Sequence, residues 1–548
     1  VGAPEFSSRF SDTGEGFAFV WYGGPSGGLG GSSGLGAFGT MANADWYAQA
    51  NQTSANLGYS VAHAGDLNGD GYADLVVGAP SYTNGQANEG RAFVWMGSAT
   101  GLDAYGTPEN ADWVAESDAA EVAFGWSVAG AGDVNADGYD DLLVGAPFGN
   151  AALLWLGGAA GLGANGTPFN ADWSANGTQL GAHLGKSVAT AGDVNGDGYA
   201  DVIVGAPLYD NPSPDEGQAF VWLGGPDDLG ANGNPVNADW SYDADVDSCQ
   251  FGWSVATAGD LDGDGCADIV VGGPGYRGGQ VREGLAMAFA GSTAGLGTLP
   301  VWLYASNETQ AQLGCSVATA GDVNGDGFSD IVVGAYSHDG DLANEGQALL
   351  FYGYARGPEV AASWVGEKNV AGAGFGTRVA PAGDINADGY SDVIVAAPDY
   401  DGGNADEGRV YLFVGQSIGL SLNHAWSAEG NQTGAFFGSS VAPAGDADND
   451  GFDDVLVGAD RYDSGGLLDN GAVFLWRGSV AGLGASGTSA NADWRYDGTQ
   501  ANEYVGQSVA GAGDVNGDGF SDVIVGGYGW SNGQAGEGHV LAFHGGTL

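Results

Sequence analysis

The 548-residue chain reads as all-β, a β-propeller of four-stranded blades, on three observations. The first is a repeat. The nine residues Asp66-Leu67-Asn68-Gly69-Asp70-Gly71-Tyr72-Ala73-Asp74 return seven more times, starting at Asp133, Asp193, Asp260, Asp322, Asp384, Asp446 and Asp514, at intervals of 67, 60, 67, 62, 62, 62 and 68 residues. Such units are too short and too glycine-rich to hold a core alone, so they must stack. The second is periodicity. Each unit carries four short β-type runs bounded by Gly, Asn, Asp and Pro, and no amphipathic helical pattern of ten or more residues stands out. The third is a size gradient. First runs hold Ser, Val, Ala and Gly, as at Ser187-Val-Ala-Thr-Ala-Gly192, while third and fourth runs hold Trp and Phe, as at Phe220-Val-Trp222 and Trp240. Blades converge on an axis and diverge outwards, so small residues suit the inner strand and large rings fill the outer gap. A linear β-solenoid normally uses repeats of about one or two dozen residues and fits less well.

In the first full unit, Leu57 to Ala64 is the first strand and the acidic stretch follows. Asp74-Leu-Val-Val77-Gly-Ala-Pro80 is the second, Arg91-Ala-Phe-Val-Trp95 the third, and a run around Ala111-Asp112-Trp113 the fourth. The second unit reaches its third strand early, at Ala151 to Trp155, having lost most of the preceding loop, which explains the 60-residue interval. The last unit has no fourth strand of its own. From the strand at Ala44-Asp45-Trp46 onwards there are 32 strands, eight blades of four, with that first strand completing the last blade. Closure of this kind removes exposed sheet edges. Residues 1–43 are then the remnant of a preceding repeat, with a hairpin in residues 1–22, and the whole 1–548 is one propeller; a seven-bladed ring with spare units is the alternative.

The net charge is −56, and 52 of the 68 acidic residues are Asp. The acidic stretches hold 26 of them, and eight bound dications would bring the net charge to about −40. That balance argues against nucleic acid and anionic membrane surfaces as partners. Three cysteines, Cys249, Cys266 and Cys315, make no disulfide framework; buried thiols are the expectation, a Cys249–Cys315 pair the alternative. No apolar run is long enough for direct membrane insertion.

Each acidic stretch reads as a cation loop. Position 1 is Asp66, Asp133, Asp193, Asp260, Asp322, Asp384, Asp446 or Asp514; position 3 is Asn68, Asn135, Asn195, Asp262, Asn324, Asn386, Asp448 or Asn516. Position 5 is Asp70, Asp137, Asp197, Asp264, Asp326, Asp388, Asp450 or Asp518. These offer side-chain oxygens to a hard cation, and glycine at position 6 permits the turn. Position 7 would give its carbonyl, leaving the side chain free to vary: Tyr72, Tyr139, Tyr199, Cys266, Phe328, Tyr390, Phe452 and Phe520. The last carboxylate is at position 9: Asp74, Asp141, Asp201, Asp268, Asp330, Asp392, Asp454 and Asp522. An EF-hand would need flanking helices and a Glu at position 12, where Val77 and Val204 stand instead. Carboxylates this close repel without a cation, and a flexible cage of six or seven oxygens suits Ca2+ over Mg2+, so up to eight Ca2+ are expected. The loops at Asp262 and Asp448 carry one extra charge and are expected to bind more tightly.

Two further recurrences have structural readings. Glu-Gly before the third strand, at Glu15, Glu89, Glu216, Glu283, Glu345, Glu407 and Glu537, reads as a strand-starting turn, a ring of carboxylates being the functional alternative. Ala-Asp-Trp, at Trp46, Trp113, Trp173, Trp240 and Trp494, reads as packing between blades, with sugar stacking as the alternative.

Phe124-Gly125 with Gly145-Ala146-Pro147, and Leu184-Gly185 with Gly205-Ala206-Pro207, resemble the FG-GAP repeat that builds the N-terminal β-propeller of integrin α chains. Departures are Gly334-Ala335-Tyr336, Ala396-Ala397-Pro398, Gly458-Ala459-Asp460 and Gly526-Gly527-Tyr528. The resemblance implies calcium loops between the first and second strands of a blade. No catalytic constellation stands out, and a non-enzyme is expected. The reading is an extracellular or cell-surface calcium-binding propeller, part of a longer chain, serving as an adhesion or protein–protein interaction scaffold. Its partner is a protein or glycan on one propeller face. The alternative is a carbohydrate-binding or accessory module of a larger secreted enzyme.

Overall fold

The computed structural model describes residues 3–6, 15–17, 46, 48–102, 106–355, 357–531, 536 and 538–545. Trp21, Asp45 and Glu537 lie outside the described residues, and only the backbone of Glu15 is described.

The first blade consists of Ser60–Gly65, Asp74–Ala79, Arg91–Trp95 and Trp113–Glu116, an antiparallel meander numbered here from the inside outwards. Among the described residues there are eight such sheets, seven of four strands and one of five, in which Gly487–Thr488 adds in parallel to Trp426–Glu429, and each begins with the strand that precedes an acidic loop. In the last blade the third strand, His539–Phe543, pairs antiparallel with Ala48–Gln49, so residues from the start of the chain supply its outer strand. The first strands touch their neighbours all the way round, including the last against the first, which closes an eight-bladed ring. The expected closure by an N-terminal strand is thus what the chain does. Ala3–Phe6 and Glu15–Phe17 pair separately as a two-stranded sheet.

First strands keep the pattern Val-Ala-x-Ala-Gly, preceded by Ser in all but Arg378–Gly383, and are half-buried around the axis, whereas second strands such as Asp330–Ala335 are buried at every residue. A sheet interior covered on both faces reads as a continuous apolar run rather than an alternation. Further out, the fourth-strand tryptophan of one blade meets the third-strand aromatic of the next edge to face. Trp113–Trp155 and Trp173–Trp222 have centroids 5.0 Å apart, and Trp240–Phe289 4.6 Å. Those rings are buried, as inter-blade packing requires and sugar stacking does not. The Asp before the tryptophan also has a job: Asp112 accepts a hydrogen bond from the Met96 amide and Asp172 from the Leu156 amide, just past the third strand.

The two recurring glycines meet between blades. A Cβ on Gly334 would lie 1.9 Å from the Gly376 carbonyl oxygen of the next blade. Gly376 has φ +90°, and its own Cβ would lie 2.2 Å from the Gln347 carbonyl. In the sixth blade Ala396 replaces the first of these glycines, and the second, Gly438, has drawn back, with the Arg409 carbonyl 3.6 Å from where its Cβ would stand. Substituting Gly376→Ala is expected to cost about 2–4 kcal/mol, from the left-handed φ and the backbone clash together. Urea unfolding in calcium measures it; a loss under about 0.5 kcal/mol, ordinary for a surface change, would refute the close approach.

Cys249, Cys266 and Cys315 are free thiols, the first two buried, so the alternative Cys249–Cys315 pair is absent.

Candidate metal centres

All eight acidic loops join a first strand to a second, at one end of the ring. Their polar atoms are ordered alike. The position 1 carboxylate accepts hydrogen bonds from the amides of positions 5 and 6: in the first loop Asp66 takes Asp70 at 3.1 Å and Gly71 at 2.8 Å. The position 3 oxygen, here Asn68, accepts from the position 5 amide at 2.9 Å, and Asp70 accepts from the Tyr72 amide at 3.1 Å. Glycine at position 6 runs at φ between 88° and 93° in all eight loops, the left-handed geometry anticipated. These bonds gather the oxygens on one side of the turn. In the fourth and seventh loops, where all the candidate side chains are carboxylates, Asp260, Asp262 and Asp268, and likewise Asp446, Asp448 and Asp454, bring oxygens within 4.8 Å of one another. Two oxygens each about 2.4 Å from one Ca2+ can be no further apart than that. Asp262 and Asp448 also each keep a buried Oδ1 without a hydrogen-bond partner, so the donor set fits a hard cation.

Position 9 does something the spacing does not reveal. Each of these aspartates is fully buried and bridges two backbone amides, one at position 2 of its own loop and one just past the third strand. Asp330 accepts from Val323 at 3.0 Å and Gly353 at 2.9 Å; Asp74 accepts from Leu67 and Gly97, both at 2.8 Å. The side chain therefore clamps the loop to the sheet whether or not a cation is present. Burial, opposed by the two amides and reinforced by the other loop carboxylates, pushes Asp74, Asp201 and Asp330 up to about 7 in the metal-free chain. In the eighth loop Asp522 also meets His544 Nδ1 at 2.6 Å; burial raises its carboxyl and the imidazole lowers it, leaving it at about 6.

Two features go beyond what the loop spacing indicates. Position 7 side chains vary in identity, as expected, yet each packs against a neighbouring loop. A Cβ on Gly69 would lie 2.6 Å from the Tyr139 ring, and one on Gly263 2.7 Å from the Phe328 ring, so each aromatic covers position 4 of the preceding loop. Cys266 takes the same place against Gly196. Backbone knits the loops too: the position 8 amide donates to the position 1 carbonyl of the preceding blade, as from Asp140 to Asp66 and from Ala73 to Asp514. The loops thus form one belt, which a reading of single loops does not foresee. The second concerns charge. Arg477, just past a third strand, places Nη1 2.6 Å from Asp448 Oδ2 and offsets that loop's extra charge. Only the loop containing Asp262 keeps it uncompensated among the described residues.

The opposite end of the ring carries the turns between second and third strands and the connections between blades. Glu89, Glu216, Glu283, Glu345 and Glu407 lie there, all buried, so they form no exposed ring of carboxylates. Glu407 accepts from the Gly402 and Gly403 amides at 2.8 and 2.7 Å, capping its turn. Nearer the axis, residues just before the first strands make an open aromatic cluster. Tyr59 and Trp126 have centroids 4.7 Å apart, Trp126 and Phe148 5.4 Å, and Phe148 and His183 5.1 Å. Lys186 Nζ lies 4.1 Å over Trp126 and 5.4 Å from Trp253. Phe148 and Trp253 are 52% and 39% exposed, and unlike the isolated exposed ring of Phe169 they belong to a cluster.

Residues 57–95, 124–165, 184–222, 251–282, 316–351, 375–413, 437–476 and 505–541 match a family profile described as the FG-GAP repeat. The chain is 31% identical over 236 residues to Integrin alpha-5 of Xenopus laevis, covering 41% of this chain and 21% of that protein. It is 34% identical over 271 residues to Integrin alpha pat-2 of Caenorhabditis briggsae, covering 45% and 20%, and 40% identical over 158 residues to human Integrin alpha-IIb, covering 27% and 14%. It therefore spans about a fifth or less of these relatives' length. An exotype rhamnogalacturonan lyase, YesX, aligns over 99% of this chain and 79% of its own at 14% identity and a TM-score of 0.35, a likeness too slight to bear on function.

Proposed function

This chain belongs to the FG-GAP repeat family, and from that premise we propose that it is a calcium-stabilised, non-enzymatic scaffold for extracellular adhesion or protein–protein interaction. Residues 1–548 act as one propeller, with residues 1–43 left from a preceding repeat. The cations sit in the eight loops, held by the oxygens of positions 1, 3, 5 and 9 and the position 7 carbonyl. Bound there, calcium supplies structural cross-linking of each turn; the chain's own residues hold the belt to the sheets. No helix among the described residues is long and apolar enough to cross a membrane.

The observation that supports a binding role is the aromatic cluster of Tyr59, Trp126, Phe148 and Trp253 with Lys186, at the end away from the acidic loops. Partly exposed rings around a cation offer large rigid contact area with little side-chain entropy to lose, as at the hot spots of protein interfaces. The likeness to integrin alpha chains supports such a role. The test is binding of the immobilised chain to a panel of extracellular-matrix proteins and, in parallel, to a glycan array. A protein ligand whose affinity falls about tenfold or more in Trp126→Ala is the expected result. Glycan binding without protein binding would replace this reading with the carbohydrate-module alternative, and binding to neither would overturn both.

A further inference from the structure

One cross-strand position behaves as a charge ledger across the repeats. It pairs the residue two places after the Glu-Gly glutamate with the residue three places after the fourth-strand tryptophan. In the first blade the pair is Arg91 and Glu116, and Nε donates to the carboxylate at 2.9 Å. In the sixth it is Arg409 and Glu429, 3.7 Å apart. Each arginine also lies over a tyrosine of the neighbouring turn, Arg91 over Tyr82 at 4.7 Å and Arg409 over Tyr400 at 5.3 Å. In the seventh blade Asp497 takes Arg495 from its own strand at 2.5 Å. The fourth blade has Leu285 and Ala305, with no charge to balance. In the fifth, Gln347 replaces the arginine and His338 the tyrosine, and the imidazole reaches Glu308 and, at 3.8 Å, Glu367.

The third blade alone keeps the acids with no basic partner among the described residues. Gln218 stands opposite Asp243 where the arginine would be. Glu216, Asp243 and Asp245 bring three carboxylate oxygens within 4.8 Å of one another. Glu216 is wholly buried; the Asn211 and Ser213 amides face it without making a hydrogen bond of normal geometry to either oxygen, and the buried Gln218 Oε1 has no partner. Asp243 accepts from Asn211 Nδ2 at 3.0 Å and from the Asp245 amide at 3.2 Å, which orients it. A wholly buried, unpaired carboxylate beside two others is costly unless something neutralises it.

We infer that Glu216, Asp243 and Asp245 hold a hard divalent cation, calcium by the chemistry of an all-oxygen set, which replaces the arginine of the first and sixth blades. This site is at the end of the ring opposite the acidic loops and independent of whether those loops bind metal. Other carboxylate clusters lack the combination: His338 serves the fifth blade, and Arg477 the seventh loop.

Calcium binding to the full chain, counted at saturation by equilibrium dialysis, tests this through a difference. Glu216→Gln is expected to bind one calcium fewer than the unsubstituted chain. Gln218→Arg, which restores the solution of the first and sixth blades, is also expected to bind one fewer and to melt higher than the unsubstituted chain in EDTA. Counts unchanged in both variants would overturn the site. Should either variant fail to fold, anomalous diffraction from crystals of the unsubstituted chain in calcium decides: a peak between Glu216 and Asp243 supports the site, and its absence refutes it. Because only the difference of one is read, loops that bind nothing would sink the proposed function without touching this result.

Discussion

Excess EDTA at neutral pH is expected to lower the melting temperature of this protein by about 10 °C, and added calcium to restore it. With free calcium tenfold above the dissociation constant, each occupied site stabilises the fold by about 1.4 kcal/mol, so eight sites contribute about 11 kcal/mol. A chain of this size has a large unfolding entropy, so each kcal/mol moves the midpoint by only about 1 °C. Differential scanning calorimetry with and without chelator measures the shift. A pH series sharpens it. In the metal-free fold Asp74, Asp141, Asp268 and Asp392 are pushed up to about 7 by burial, from 3.8, and Asp454 to about 8. Between those values the folded state binds more protons than the unfolded one, so stability in EDTA falls as pH rises from about 4 to about 7. Bound calcium holds these carboxylates ionised, and in its presence that fall should vanish. Superimposable curves in EDTA and calcium across this range would refute a structural cation.

The second large effect separates clamp from ligand within one loop. Asp330→Ala is expected to destabilise by about 3–5 kcal/mol in calcium and nearly as much in EDTA. It strands the Val323 and Gly353 amides, which lie 3.0 and 2.9 Å from the carboxylate of a fully buried side chain. Each unpaired buried amide costs about 1–3 kcal/mol whatever the cation does. Asp326→Ala, at the exposed position 5 of the same loop, removes a proposed ligand and two local hydrogen bonds, from the Phe328 amide and Asn324 Nδ2, both at 3.0 Å. It should cost about 1–2 kcal/mol in calcium and under about 1 kcal/mol in EDTA. Urea unfolding of both variants in both conditions provides the comparison. Equal losses for the two substitutions in EDTA would remove the distinction between positions 5 and 9.

The fold was legible in this chain because its determinants are local and repeated. Asp-x-Asn/Asp-x-Asp-Gly turns, β-type runs of five or six residues and a gradient from Ser-Val-Ala to Trp each recur eight times or nearly so. Closure by an N-terminal strand followed from counting, since the last unit ends without a partner for His539–Phe543. The candidate ligand positions were legible for the same reason: carboxylates spaced by two around a glycine present oxygens to one side of a turn.

The remainder depends on contacts between residues on different strands of one blade or on different blades, and no local spacing pattern reports them. That Asp74 clamps Gly97 is a result of strand pairing within a blade, whereas Tyr139 covering Gly69 and Asp140 bonding to Asp66 are results of blades packing side by side. Arg477 on Asp448 is again a contact between strands of one blade, and it offsets a charge that counting along the loop leaves in place. The isolation of Glu216 is likewise visible only when strands are set in register and the missing arginine can be seen. By itself, then, the sequence determined the repeat, the strand order, the tapered blade and the oxygen-rich turns, because short-range geometry and side-chain size decide them. Tertiary structure alone decided which carboxylates have a basic partner in the protein and which do not, because that balance is struck between strands and between blades, where burial makes an unpaired charge costly.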